Sequence, residues 1–132
     1  AQLDRFLFKL VVTYGSAEAE RGIVERHHAG LQVTDLAAAG LAPLLDPVGV
    51  LDLRAQVAAV KVEGSVIEYL VAVGRATRSM PEVQYGASVR GALGLLHASK
   101  AIAAFAGREY VTPDDVKSVA AAILLSRTGR WA

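Results

Sequence analysis

The sequence predicts an all-α fold, a helical bundle preceded by one orphan β-strand. Three observations lead there. Hydrophobic residues make up 53% of the 132 residues but aromatics only 6%, so the apolar content is mostly Ala, Val and Leu, which suits close-packed helices better than a β-sandwich. Helix-start chemistry recurs along the chain, at Ser16, Ser65, Ser88 and Thr112. The opening stretch, AQLDRFLFKLVV, is apolar on both alternate faces from Phe6 to Val12, with Lys9 alone intruding. That is the pattern of a strand buried on both sides, as in a parallel sheet covered by helices. No other segment looks like a full strand to pair with it.

The elements follow in order. Tyr14-Gly15-Ser16 is turn chemistry, and Ser16 caps a helix whose first turn carries Glu18 and Glu20 at the positive end of the dipole. That helix is expected to reach about His28, with Arg26, His27 and His28 in its last turn and Gly30 as its stop. The stretch LQVTDLAAAGLAPLLDPVG has no sustained period and is predicted to be a long connection with a helical turn at most. From Val50 the spacing of Leu53, Val57 and Val60 marks a short helix. Ser65-Val66-Ile67-Glu68 fits a capping box opening a helix to about Arg78, with Val66, Ile67, Leu70, Val71 and Val73 or Gly74 inward. A fourth helix opens at Ser88 and runs to about Ala106, with Leu93, Leu96, Ile102 and Phe105 expected inward and Gly107 as its stop. Thr112-Pro113-Asp114-Asp115 starts the fifth, with a hydroxyl at the cap, Pro at the first helical position and two acids in the first turn. Short extended pieces at Val60 to Val62 and Tyr110 to Thr112 could pair briefly.

Composition excludes several functions. With 14 basic and 13 acidic residues interspersed, the net charge of +1 gives no single-signed face, which disfavours a nucleic-acid binder relying on phosphate neutralisation. Zero cysteines exclude disulfides, thiolate zinc sites and cysteine nucleophiles together. No apolar run approaches the roughly 18 to 20 residues of a membrane span, and the opening run lacks the basic leader of a signal peptide. A soluble, cytoplasmic protein is expected.

The stretch Gly86-Ala87-Ser88-Val89-Arg90-Gly91 carries the chemistry. If Ser88 is the cap, Arg90 sits in the first turn, where the dipole disfavours a cation by roughly 0.3 to 1 kcal/mol. Free backbone N–H groups, a positive dipole end and a guanidinium converging on one spot form an anion site, for which phosphate is the natural ligand. Alternatively Arg90 leans away and pairs with a surface acid such as Glu82. Asp4-Arg5 stands at the rim of the buried strand, where an Arg can reach a ligand or simply bind a carboxylate. His27-His28 is not a metal pair, because neighbours in a helix point about 100° apart and do not share a face. His97 lies two turns beyond Arg90 and either shares its surface or merely packs. No metal site is expected, and there is no G-x-x-x-x-G-K-S/T loop, catalytic triad spacing or Gly-rich dinucleotide turn. The chain alone holds no complete active site.

AQLDRF at the start, RATRS, GASVRGAL and GREYVTPDDVKSVA, in this order across nearly the whole chain, resemble the carboxy-terminal portion of a MoxR-type AAA+ ATPase. Gly15 and Val89 stand where the family usually has Pro, and the end, LLSRTGRWA, lacks its common His-Arg-Ile close. The resemblance implies that Phe6 to Val12 is the last strand of a P-loop ATPase core, with residues 1–15 ending that core and 16–132 forming an AAA+ lid-type helical domain with a pre-lid insert helix. It further implies a ring, usually hexameric, that hydrolyses ATP with Mg²⁺ at subunit junctions. Such rings act as chaperones maturing partners, often with von Willebrand A domains. Arg5 matches the arginine finger, acting in trans, and Arg90 the lid arginine called sensor 2, with Ser88 beside it at the nucleotide phosphates. By itself the chain is expected to bind no ATP or Mg²⁺ and to be inactive. The rival reading is a free-standing helical interaction module with no nucleotide role.

Overall fold

Five helices succeed one another in the computed structural model, which describes residues 6–32, 34–81, 83 and 86–124. They are α1 (Ala17–His28), α2 (Pro47–Ala59), α3 (Gly64–Ala76), α4 (Val89–Phe105) and α5 (Pro113–Leu124). The chain divides into two compact units. One is Val11–Val50; the other gathers the described residues of Ala1–Leu10 and Leu51–Ala132.

In the Val11–Val50 unit, Ser16 accepts a hydrogen bond from the Ala19 N–H at 3.2 Å and starts α1 as its sequence indicates. The helix ends in a Schellman motif, in which the Gly30 N–H reaches the His27 carbonyl and the Leu31 N–H that of Arg26, each at 3.1 Å. No residue of α1 is buried. The connection beyond it contains one turn capped by Asp35, whose Oδ1 accepts from the Ala38 N–H at 2.9 Å. Helix α2 begins three residues before the expected Val50. Asp46 caps it through Oδ1, 2.7 Å from the Gly49 N–H, and Pro47 takes the first helical position, where its missing N–H costs nothing.

The second unit is built on α3, α4 and α5, which pack against one another in every pairing. Its core is Val60, Val66, Leu70, Leu95, Ala98, Ala103, Val111, Val116, Val119 and Ile123. The two short extended pieces do pair. Lys61 and Tyr110 form an isolated parallel bridge, with the Lys61 N–H on the Glu109 carbonyl at 2.8 Å and the Val111 N–H on the Lys61 carbonyl at 3.0 Å. It ties the residues entering α3 to those entering α5. Lys100 adds a second tie, donating from Nζ to the Ala58 carbonyl at 2.7 Å and so capping the end of α2.

Four further expectations are corrected. Among the described residues no strand forms, so Phe6 to Val12 is irregular chain with a bend at Leu7 rather than an orphan strand. A strand exists by its ladder, and among the described residues none pairs with this segment; the Lys9 N–H instead donates to the Ala122 carbonyl near the end of α5 at 2.8 Å, and Phe6, Leu7, Phe8 and Leu10 stay exposed. Ser65 does not cap α3. Glu63 is the cap, without a side-chain bond, and its carbonyl already accepts from the Val66 and Ile67 N–H groups; the bridge at Lys61 leads the chain into the helix before Ser65 is reached. Finally, α4 turns inward a face that matches the expected one only in part: Leu96 and Ile102 pack against the core, but Leu93 and Phe105 do not. Gly91, Gly94, Leu95, Ala98, Ser99 and Ala103 are buried, whereas Leu93 is 50% exposed and Phe105 86%. Helix α4 is packed on both α3 and α5, and close approach of two neighbours favours small residues at most of its buried positions, with Leu95 the large exception. The inward face of α3 is narrower than expected for a similar reason: Val66, Leu70 and Gly74 are buried, while Ile67 and Val71 are exposed.

Candidate functional site

The site is the start of α4. Ser88 is in extended conformation at the cap, and its Oγ accepts from the Arg90 N–H at 3.2 Å, while the Gly91 N–H returns to the Ser88 carbonyl at 2.9 Å. Arg90 is exposed, and among the described residues no ion pair involves its guanidinium. A cation in the first turn of a helix is thus left facing solvent beside the positive dipole end. This arrangement can hold an anion.

The turn before α4 is fastened to the end of α3. Thr77, buried at the close of α3, donates its hydroxyl to the Gly74 carbonyl at 2.7 Å and accepts from the Ala87 N–H at 2.8 Å. Arg78 donates from Nε to the Ala87 carbonyl at 2.9 Å. Both polar groups of the buried Ala87 backbone are therefore taken up by two consecutive side chains. Gly86 lies so close that a Cβ there would meet Arg78 Cγ at 2.4 Å, Cα at 2.6 Å and Cβ at 2.8 Å; no other residue fits without moving the turn.

A second polar cluster follows α4. Its end is another Schellman motif, with Gly107 at φ 69°, the Gly107 N–H on the Ala104 carbonyl and the Arg108 N–H on the Ala103 carbonyl, each at 2.9 Å. That reversal delivers Arg108 to Asp115. The guanidinium grips the carboxylate at 2.8 Å and 2.6 Å, and Asp115 Oδ2 also accepts from the Thr112 N–H at 2.8 Å and its hydroxyl at 3.0 Å. The Arg108 hydrogen bonds lead in holding the Asp115 carboxyl down to about 2, and Asp115 in turn raises the Arg108 guanidinium. This is a structural pair, since Asp115 is 5% exposed and its acceptors are filled.

Of the residues singled out in the sequence, the structure brings Ser88 and Arg90 together. Arg5, Asp4, Glu82 and the terminal LSRTGRWA lie outside the described residues, so the proposed finger and the Glu82 partner have no structural account. His27 and His28 stand exposed in the last turn of α1, and His97 is exposed on α4. Among the described residues no three His, Cys, Asp or Glu side chains come together to hold a metal, and no helix is long and apolar enough to cross a membrane. Sequence reasoning missed Thr77, Arg78 and Arg108. A Thr and an Arg ending a helix ahead of a breaker, and a Gly-Ala pair before the next cap, were the available signals.

Comparison with known proteins places this geometry. A family model described as the AAA lid domain matches residues 75–131, from the last turn of α3 through α4 and α5. Chaperone MoxR1 of Mycobacterium tuberculosis is 36% identical over 136 residues, covering 96% of this chain and 34% of that protein. The chain is the carboxy-terminal lid portion of a MoxR-like AAA+ ATPase. The uncharacterized protein YeaC of Bacillus subtilis is similar too, 37% identical over 120 residues, or 91% of this chain and 36% of YeaC. A crystal structure of a "putative ATPase" from Cytophaga hutchinsonii superposes with a TM-score of 0.76 at 30% identity, over 96% of this chain and 39% of the other. The MoxR-like chain thus spans about a third of the length of its curated relatives. Ser88, Arg90 and the fastened turn all fall inside the lid match.

Proposed function

We propose that this lid closes over ATP in a ring-forming chaperone ATPase and that Arg90 contacts the nucleotide phosphates there, with Ser88 holding the helix start on which it stands. The observation that carries this reading is the exposed Arg90 in the first turn of a Ser88-capped helix, inside the matched lid. Residues 1–15 end the ATPase core and 16–132 form the lid, Arg5 acts as an arginine finger on the neighbouring subunit's nucleotide, and Mg²⁺ comes with ATP to groups outside this chain. The ring is hexameric and cytoplasmic, and it matures a client carrying a von Willebrand A domain. The similarity to Chaperone MoxR1 supports the chaperone role.

The test is Arg90→Ala in a full-length ATPase containing this chain. Removing a charge-assisted phosphate contact should lower ATP turnover about tenfold or more. Because the cation opposes the helix dipole, the thermal midpoint should hold or rise. A fall in stability with unchanged hydrolysis would make Arg90 a structural ion-pair residue and end the reading.

A further inference from the structure

We propose that Thr77 is a positioning residue for Arg90, acting through the backbone of Ala87 without touching nucleotide. This rests on the reading of Arg90 given above. The chain of contacts is short. The Thr77 hydroxyl closes α3 on the Gly74 carbonyl and at the same time takes the Ala87 N–H, while Arg78 takes the Ala87 carbonyl. Ala87 is followed at once by Ser88, whose Oγ holds the Arg90 N–H. Two residues therefore separate the fastened peptide from the guanidinium, and every backbone link between them is hydrogen bonded or helical.

The fastening is two-sided, which is what a positioning device requires. A hydroxyl is needed at residue 77 because one atom must donate to a carbonyl and accept from an N–H in a site that water does not reach; Thr77 is 7% exposed and Ala87 1%. Glycine is needed at residue 86 because Arg78 occupies the space of its Cβ, at contacts that include backbone. Neither requirement concerns the hydrophobic core, whose buried side chains come from other positions. What the clasp sets is the direction in which α4 leaves the end of α3, and with it the place from which Arg90 reaches. A first-turn arginine is long and flexible, so its aim is no better than that of the backbone beneath it.

The test is a double-mutant cycle in the full-length ATPase, read as affinity for a fluorescent ATP analogue and as the separate kcat and KM for ATP. Thr77→Val keeps the shape and removes the hydroxyl. It should weaken the analogue's binding about three- to tenfold, and Thr77→Ser should restore it. In an Arg90→Ala background, Thr77→Val should change affinity by less than about twofold, because nothing is left to aim. Gly86→Ala provides a second route to the same displacement if Thr77→Val does not fold, and should show the same loss and the same dependence on Arg90. Equal losses with and without Arg90 would mean that Thr77 merely supports the lid, and the proposal fails. Wild-type affinity in both Thr77→Val and Gly86→Ala, with Arg90→Ala impaired, would defeat this proposal alone. An Arg90→Ala protein with unaltered affinity and turnover would overturn the function proposed for Arg90, and the role of Thr77 with it.

Discussion

Asp115 shows how much one side chain can concentrate. It terminates a bidentate grip from Arg108, caps the Thr112 N–H and hydroxyl, and sits 5% exposed at the first turn of α5. Its carboxyl is held at about 2, below the ordinary aspartate value, with the Arg108 hydrogen bonds as the leading cause. A carboxyl depressed in the folded state stabilises it above the unfolded-state value near 4, and that contribution drains away as pH falls from about 5 toward 2. The contribution is on the order of 2 kcal/mol at neutral pH. Urea unfolding at pH 7 and pH 3 should therefore show a loss that is blunted in Asp115→Asn, which should itself be less stable by about 2–3 kcal/mol at pH 7. An Asp115→Asn protein with the same acid dependence as wild type would remove Asp115 from the acid response. The exposed Lys117–Asp114 contact, 3.2 Å across a solvated face, is a contrast; its removal should leave the unfolding midpoint unmoved.

At the scale of elements, most starts and stops were legible in the sequence and inward faces only in part. Ser16, Ser88, Pro113 and Gly107 each do locally what their residue type dictates, because a cap is satisfied within four residues whatever the rest of the chain is doing. Ser65 failed where a non-local bridge had already led the chain into the helix. The inward face of α4 was right at Leu96 and Ile102, which pack against the core, and wrong at Leu93 and Phe105; the buried positions of this helix, packed on both α3 and α5, include instead Gly91, Gly94, Leu95 and Ala98. Two substitutions check the caps. Thr112→Ala removes the hydroxyl that meets Asp115 and should cost about 1–2 kcal/mol in thermal or urea unfolding. Gly107→Ala forces a Cβ into left-handed backbone at φ 69° and should cost about 1 kcal/mol. A neutral Gly107→Ala would show that the turn can reach Arg108 to Asp115 by another path.

For the molecule as a whole, the expectations concern what the chain can do alone and in company. The isolated chain should hydrolyse no ATP above background, since its sequence contains no phosphate-cradling loop. Measured turnover that co-purifies with the chain and falls with Arg90→Ala would contradict this. Deleting residues 1–12 should leave the helical far-UV signal and a cooperative melt intact, because Phe6, Leu7, Phe8 and Leu10 are exposed and, among the described residues, no core position comes from 6–12. Disappearance of the melt would put the segment inside the fold. For the full ring, Arg5→Ala subunits should lose hydrolysis on the order of 10³-fold. Mixed with subunits disabled at the Walker A lysine, they should regain turnover at junctions where an intact finger meets an intact pocket. Verified mixed rings with no recovery would place Arg5 in cis or in a structural role.

The sequence by itself determined the helical class, four of the five helix starts to within a residue or two, and the family, through AQLDRF, RATRS, GASVRGAL and YVTPDDVK. These are local quantities: a cap, a turn or a motif is written in adjacent residues. The tertiary structure alone decided that Phe6 to Val12 forms no strand here, that Gly91, Gly94, Leu95, Ala98 and Ser99 rather than Leu93 and Phe105 are buried on α4, and that Thr77, Arg78 and Gly86 hold the turn beneath Arg90. Each depends on groups brought together from separate parts of the chain. A ladder needs a second strand, a helix face is chosen by its neighbours, and a hydroxyl ten residues from the N–H it accepts can be matched to it only once the chain has folded back.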